Sequence, residues 1–150
     1  MISTPDPDLN IRYQIYRHFA EHGRAPQYSE IALVLGAPAE DVRAVYHTLH
    51  EWHMLFLEPG SDAIRIANPF SAIPTPYAVT AGERTWWANC AWDAFGIAVA
   101  LNTDARISAR YPGNTGTVEL EVSNGAVDGK GHLIYFALPF RRWYDDLVYT

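Results

Sequence analysis

Cysteine and lysine are almost missing from this sequence, which has one of each, Cys90 and Lys130, in 150 residues. A single cysteine excludes an internal disulfide and fits a reducing, cytoplasmic setting. The shortage of cations leaves a net charge of −6. That excludes a general binder of nucleic acid or anionic membrane, because phosphate affinity rests on Lys and Arg. The deficit runs along the whole chain. Residues 1–70 hold five Arg against nine acids, and residues 71–150 hold five Arg and one Lys against eight. No apolar run approaches the ~20 residues needed to cross a bilayer, and no cationic stretch followed by an apolar one opens the chain. Internal repeats and low-complexity tracts are missing as well. The expectation is a cytoplasmic protein with no membrane partner.

What is present is core material. At 49% hydrophobic and 13% aromatic residues, the chain suits one or two small domains and not a disordered segment. Leu9, Ile11, Tyr13, Ile15, Tyr16 and Phe19 put most apolar side chains on one helical stripe up to Gly23, a fitting stop. Ser29 is a good N-cap for a short second helix carrying Ile31, Ala32, Leu33 and Leu35. Pro38 suits the first position of a third helix that reaches about Trp52 and buries Val42, Val45, Tyr46, Leu49 and Trp52. Strands at 54–57 and 64–66 flank a Pro59-Gly60-Ser61-Asp62 turn. Three helices and such a hairpin predict a winged-helix N-terminal domain over residues 1–67. Three prolines in residues 68–76 predict a stiff linker. Residues 77–150 then predict a mixed, mostly antiparallel β domain with a helix from about Ala88 to Leu101. Its later strands are expected at 105–111, 117–123 and 132–137. The fold class is α+β.

A winged helix invites a DNA-binding reading, with the third helix in the major groove. That helix offers Glu40, Asp41, Arg43, His47 and His50. Two leading acids oppose the phosphates, and Arg43 alone offers bidentate base readout, so a supporting role for this domain is favoured over DNA reading. His47 and His50 share a helix face at i,i+3 spacing, as two metal ligands would, but His53 falls past the helix end. No Cys or carboxylate pattern completes a tetrahedral set, and solvated surface histidines are the simpler reading.

The segment with the most chemistry is Gly82-Glu83-Arg84-Thr85-Trp86-Trp87-Ala88-Asn89-Cys90-Ala91-Trp92-Asp93-Ala94-Phe95-Gly96. Its aromatic and alanine run into Cys-Ala-x-Asp, followed by a small apolar helix, resembles the alkylmercury (organomercurial) lyase family. The order of a winged-helix-like domain before it, Ala105-Arg106-Ile107-Ser108, Val118-Glu119-Leu120-Glu121-Val122-Ser123 and Leu138-Pro139 extend the resemblance. It implies protonolytic cleavage of a carbon–mercury bond, with Cys90 and Asp93 as catalytic and metal-binding residues. No cofactor is required, Hg(II) is the bound product, and low-molecular-weight thiols serve product release. The residue types suit that chemistry. Thiolate is the softest side-chain ligand for a soft metal, and a carboxylate one turn on can relay a proton to the departing carbon. A helix N-terminus is expected to lower the thiol pKa from ~8.5 and favour thiolate. Taken singly, Cys90 reads as a buried structural thiol and Asp93 as a surface carboxylate. Trp86, Trp87 and Trp92 are expected to pack around the motif, one of them alternatively lining an apolar pocket for the organic group.

The family's second cysteine is expected about a dozen residues past Leu138-Pro139, at or just after Thr150. Three accounts stand open: a naturally shortened non-lytic relative, a fragment of a longer protein, or a frame continuing through a UGA codon as selenocysteine. Two further readings compete with the lyase. One is a catalytically silent relative that captures a soft metal or an organic ligand. The other is a metal-responsive winged-helix DNA-binding regulator.

Overall fold

The computed structural model describes residues 7–110, 116–129, 131–136, 138–143 and 145. The chain is mixed α+β, with an antiparallel sheet and flanking helices. Helices α1 (Pro7–His22), α2 (Tyr28–Leu35) and α3 (Ala39–Glu51) come first, followed by strands β1 (Phe56–Leu57) and β2 (Ile64–Ala67). Strands β3 (Phe70–Ser71), β4 (Tyr77–Ala81) and β5 (Arg84–Ala88) lead into helix α4 (Ala91–Leu101). Strands β6 (Ala105–Arg110), β7 (Thr117–Ser123) and β8 (Ala126–Asp128) follow, and Phe140–Arg142 forms a 3₁₀ turn. No helix among the described residues is long and apolar enough to cross a membrane.

Ile11, Ile15 and Phe19 of α1 meet Ile31, Val42, Tyr46 and Leu49 in the core, whereas Leu9, Tyr13 and Trp52, expected on the apolar stripes, are exposed. Burying each such side chain contributes about 1.5–3 kcal/mol. Gly23, at φ 69°, ends α1 as expected. The caps of the next two helices differ from expectation. Gln27, and not Ser29, caps α2, because Glu30 accepts the Gln27 backbone N–H at 2.8 Å and is itself gripped by Arg24 at 2.6 Å. Pro38 is the N-cap of α3 and lies just outside the helix.

Among the described residues, the eight strands form one sheet in the order β1-β2-β3-β5-β4-β6-β7-β8, every pair antiparallel. Within residues 68–76, read from the sequence as a linker, β3 bonds β2 on one side and β5 on the other. The hairpin and the later strands are therefore edge-to-edge parts of a continuous sheet. The expected strand at 132–137 is not formed among its described residues. β8 takes the place beside β7 instead, returned by an Asn124-Gly125 turn with φ 52° and 74°. Positive φ at both turn residues matches the right-handed twist of a hairpin.

Directly opposed residues share a sheet face, which sorts the side chains cleanly. Val79 opposes Trp86 and Ile107, and Ile107 opposes Leu120; all four are buried. The other face carries Thr80 opposite Thr85, with hydroxyls 3.0 Å apart, and Arg106 opposite Glu121 at 3.8 Å. Helix α4 lies on the apolar face, burying Ala94, Ile97 and Ala98 against β4, β5 and β6. Gly96 permits this approach, since a Cβ there would stand 3.2 Å from Pro69 Cβ. Trp86 ties the same face to α1, donating its indole N–H to Phe19 O at 2.7 Å. Phe19 stacks on Phe70 at 5.1 Å. The start of α4 is thus fixed from the sheet below and from the 68–71 segment beside it.

Candidate functional site

Strand β5 ends at Ala88, and two residues later Cys90 is the N-cap of α4, with φ −144° and ψ 178°. Its carbonyl accepts the Ala94 N–H at 3.1 Å. N-caps are normally Ser, Thr, Asp or Asn, whose oxygens hold a free helix N–H, and losing that bond costs about 1 kcal/mol. At Cys90 a sulfur stands where that oxygen would be, close to the backbone N–H groups of Trp92 and Asp93. Asp93, one turn on, brings its carboxylate to the sulfur, and Cys90 Sγ–H donates to Asp93 Oδ2 at 3.5 Å. The two residues singled out in the sequence are therefore in contact. Both are half-buried.

Burial governs their titration. It pushes the Cys90 thiol up to about 11, helped by the neighbouring Asp93 charge and opposed by the backbone N–H groups of Asp93 and Trp92. It pushes Asp93 up to about 6, against the pull of the Cys90 thiol and its backbone N–H. The expectation of a thiolate favoured by the helix end is corrected here. The field of the helix N-terminus is present, but desolvation of the sulfur and an adjacent carboxylate outweigh it. At neutral pH the pair is a thiol hydrogen-bonded to a carboxylate, with the proton on sulfur and its acceptor in place.

A third group stands near the sulfur and carries no motif. Tyr77 begins β4 on the same face as Val79, and Thr75 fastens it beside the end of β5. The Thr75 hydroxyl donates to Ala88 O at 2.6 Å and accepts the Tyr77 N–H at 3.1 Å. The Tyr77 phenol is pushed up by burial and then by the Cys90 charge, which puts it within electrostatic range of the thiol. The two are thirteen positions apart in sequence; only the β4–β5 register unites them, although the apolar alternation of β4 is a signal for the face it lies on.

The three tryptophans of the motif part company. Trp86 is core, Trp87 is half-buried on the opposite face, and Trp92 is 60% exposed on the first turn of α4. Trp92 faces Phe136 at 6.4 Å, and Phe136 stacks on Trp143 at 5.3 Å. The histidines lie elsewhere. His47 Nε2 meets Asp62 at 2.7 Å, His50 Nδ1 accepts the Leu57 N–H at 3.3 Å, and His53 follows the end of α3. Among the described residues no group of three or more His, Cys, Asp or Glu could hold a metal ion. The position expected for a second cysteine falls outside the described residues.

The family model for alkylmercury lyase matches residues 70–149, a stretch that contains Tyr77, Cys90 and Asp93. A search of curated proteins finds no match. Among solved structures, the crystal structure of the mercury-bound form of MerB2 superposes with a TM-score of 0.66 and 26% identity, over 83% of this chain and 60% of that one. This chain thus spans about 60% of the length of that neighbour. From the family match over residues 70–149, and from a fold shared with a mercury-bound relative, the chain belongs to the alkylmercury lyase family.

Proposed function

We propose that this chain captures organomercurials at Cys90 and cleaves the carbon–mercury bond by protonolysis, with Asp93 as the proton relay. The observation that supports this most directly is the 3.5 Å contact between a protonated thiol and a carboxylate raised to about 6. In the first step sulfur bonds mercury and displaces its inorganic ligand as an anion, and the thiol proton passes to Asp93. In the second step Asp93 returns that proton to the mercury-bound carbon. Hydrocarbon leaves with the proton, and the carbon–mercury electron pair forms the new C–H bond. A carboxylate near 6 suits both duties at neutral pH, accepting readily and donating without a large penalty.

Mercury on Cys90 keeps its organic group as the second ligand of a linear complex. A second chalcogen raises the coordination number and makes the carbon basic enough to take a proton. Asp93 is a hard oxygen ligand and a poor substitute on a soft metal. These 150 residues hold one cysteine; acting by themselves, they would take a second sulfur from low-molecular-weight thiol, which also carries Hg(II) away. We read α1–α3 and the β1–β2 hairpin as a winged-helix-like support and not as a DNA reader. Arg43 of α3 is engaged by Asp62 at 2.9 Å and Glu40 at 3.3 Å, which leaves it poorly placed to contact bases.

Headspace measurement of benzene from phenylmercury, against increasing free thiol, tests the reading. Benzene should rise with thiol for the wild type and stay at the buffer rate for Cys90→Ser. Tight capture at Cys90 with no benzene at any thiol concentration would instead support the silent, soft-metal-binding relative, a reading favoured by the hard character of Asp93 beside a single sulfur.

A further inference from the structure

An organic group on mercury at Cys90 would meet the surroundings of the α4 N-terminus. Ala88 before it and Ala94 after it in the chain are completely buried, and Asp93 lies against the sulfur on one side. Trp92 stands on the first turn of α4, with its backbone N–H beside the Cys90 sulfur. A tryptophan 60% exposed on that turn leaves a large apolar ring in water, yet Trp92 is not isolated. Phe136, 42% exposed, lies 6.4 Å from it, and Trp143 stacks behind Phe136 at 5.3 Å and 21°. Trp143 is anchored by its indole N–H on Leu138 O at 2.9 Å. Three rings therefore make a wall that begins at the residue between the capping cysteine's neighbour and Asp93. Packing of α4 onto the sheet does not explain it, since that uses Ala94, Ile97 and Ala98.

We propose that Trp92, backed by Phe136 and Trp143, is a specificity-determining surface that seats an aryl group of the substrate, so that arylmercurials are taken in preference to small alkylmercurials. The inference rests on the proposed capture at Cys90. Aromatic pairs contribute beyond simple burial when rings lie 4.5–7 Å apart in offset or tilted arrangements. A methyl group on mercury is too small to gain such contact. The expected gain corresponds to a ratio of roughly 3- to 10-fold between phenyl and methyl forms.

The test measures second-order capture rates and dissociation constants of phenylmercury and methylmercury by adduct mass. Wild type, Trp92→Ala, Trp92→Phe and Cys90→Ser are compared, with a far-ultraviolet spectrum of each variant to confirm the fold. The phenyl-to-methyl ratio should fall toward one in Trp92→Ala and be largely restored in Trp92→Phe. Unchanged preference in Trp92→Ala overturns this inference alone and leaves capture at Cys90 standing. Equal capture by wild type and Cys90→Ser overturns the parent reading, and this one with it.

Discussion

Helices α3 and α4 make the instructive contrast in this molecule. Helix α3 is amphipathic and rich in charge, and its polar side chains are engaged with one another or with the hairpin: Arg43 with Glu40 and Asp62, and His47 with Asp62. These groups sit in water, where ion pairs contribute little and are screened. Helix α4 is apolar and small, with Asp93 as the acid of its first turn and a thiol in place of a capping oxygen. There the titratable pair is half-buried, and both members are displaced upward by desolvation. The helix with more charge looks more functional in the sequence, yet its charged groups lie in water at the surface. Chemistry is favoured where few charges are held against the solvent's preference, because that is where proton affinity can be set away from its ordinary value.

The sharpest way to break this contrast is at Cys90. Cys90→Ser should abolish stoichiometric organomercurial capture, whereas His47→Ala and His50→Ala should leave it unchanged, as adduct mass reads directly. Next in size is the tie between the helical region and the sheet. Trp86→Ala removes a buried indole and its bond to Phe19 O. It should destabilise the fold by about 3–5 kcal/mol in a denaturant melt.

Asp93→Asn works in the other direction. The folded-state pKa of Asp93 is raised, so the folded chain holds that proton more tightly than the unfolded one. Its stabilising contribution is full below the ordinary value of 3.8 and is lost as pH rises through about 6. Replacing it with the neutral amide should therefore stabilise the protein near pH 8 by on the order of 2–3 kcal/mol, and by almost nothing near pH 4. Denaturant midpoints at the two pH values check the sign. The smallest effect belongs to α3, where Arg43→Ala should leave the thermal midpoint within error. A gel shift at about 0.15 M salt should find no sequence-specific DNA binding by either form.

Much of the architecture is legible because periodicity reports it. The stripes of α1 and α3, the stop at Gly23 and the alternation of β6 and β7 lie in local sequence. Strand β3 is not legible, because it is two residues long and sits among prolines, which read as a linker until a partner strand is seen on each side. Strand β8 is exposed at every residue and carries no alternation to find. In the site, Cys90 and Asp93 are legible because one helical turn joins them. Tyr77 depends on strand register. The protonation of the thiol depends on burial, which one-dimensional spacing does not contain, so the helix-end argument alone points the wrong way.

The proposed relay also implies a particular pH response. Capture of phenylmercury should be nearly flat from about pH 7 to 9, because Asp93 and not hydroxide takes the thiol proton, and it should fall as pH drops through about 6. Alkylation of Cys90 by iodoacetamide, which attacks only as thiolate, should keep rising toward about 11.

The most direct measurement of the central claim is single-turnover benzene release from a preformed phenylmercury–Cys90 adduct under saturating free thiol, comparing wild type with Asp93→Asn. The account predicts that both proteins form the adduct, that the wild type releases benzene, and that Asp93→Asn releases it at least a hundredfold more slowly, a loss within the roughly 10²–10⁴-fold range of a positioned general acid. Equal benzene release by the two proteins would contradict it, since the proton would then reach carbon without Asp93.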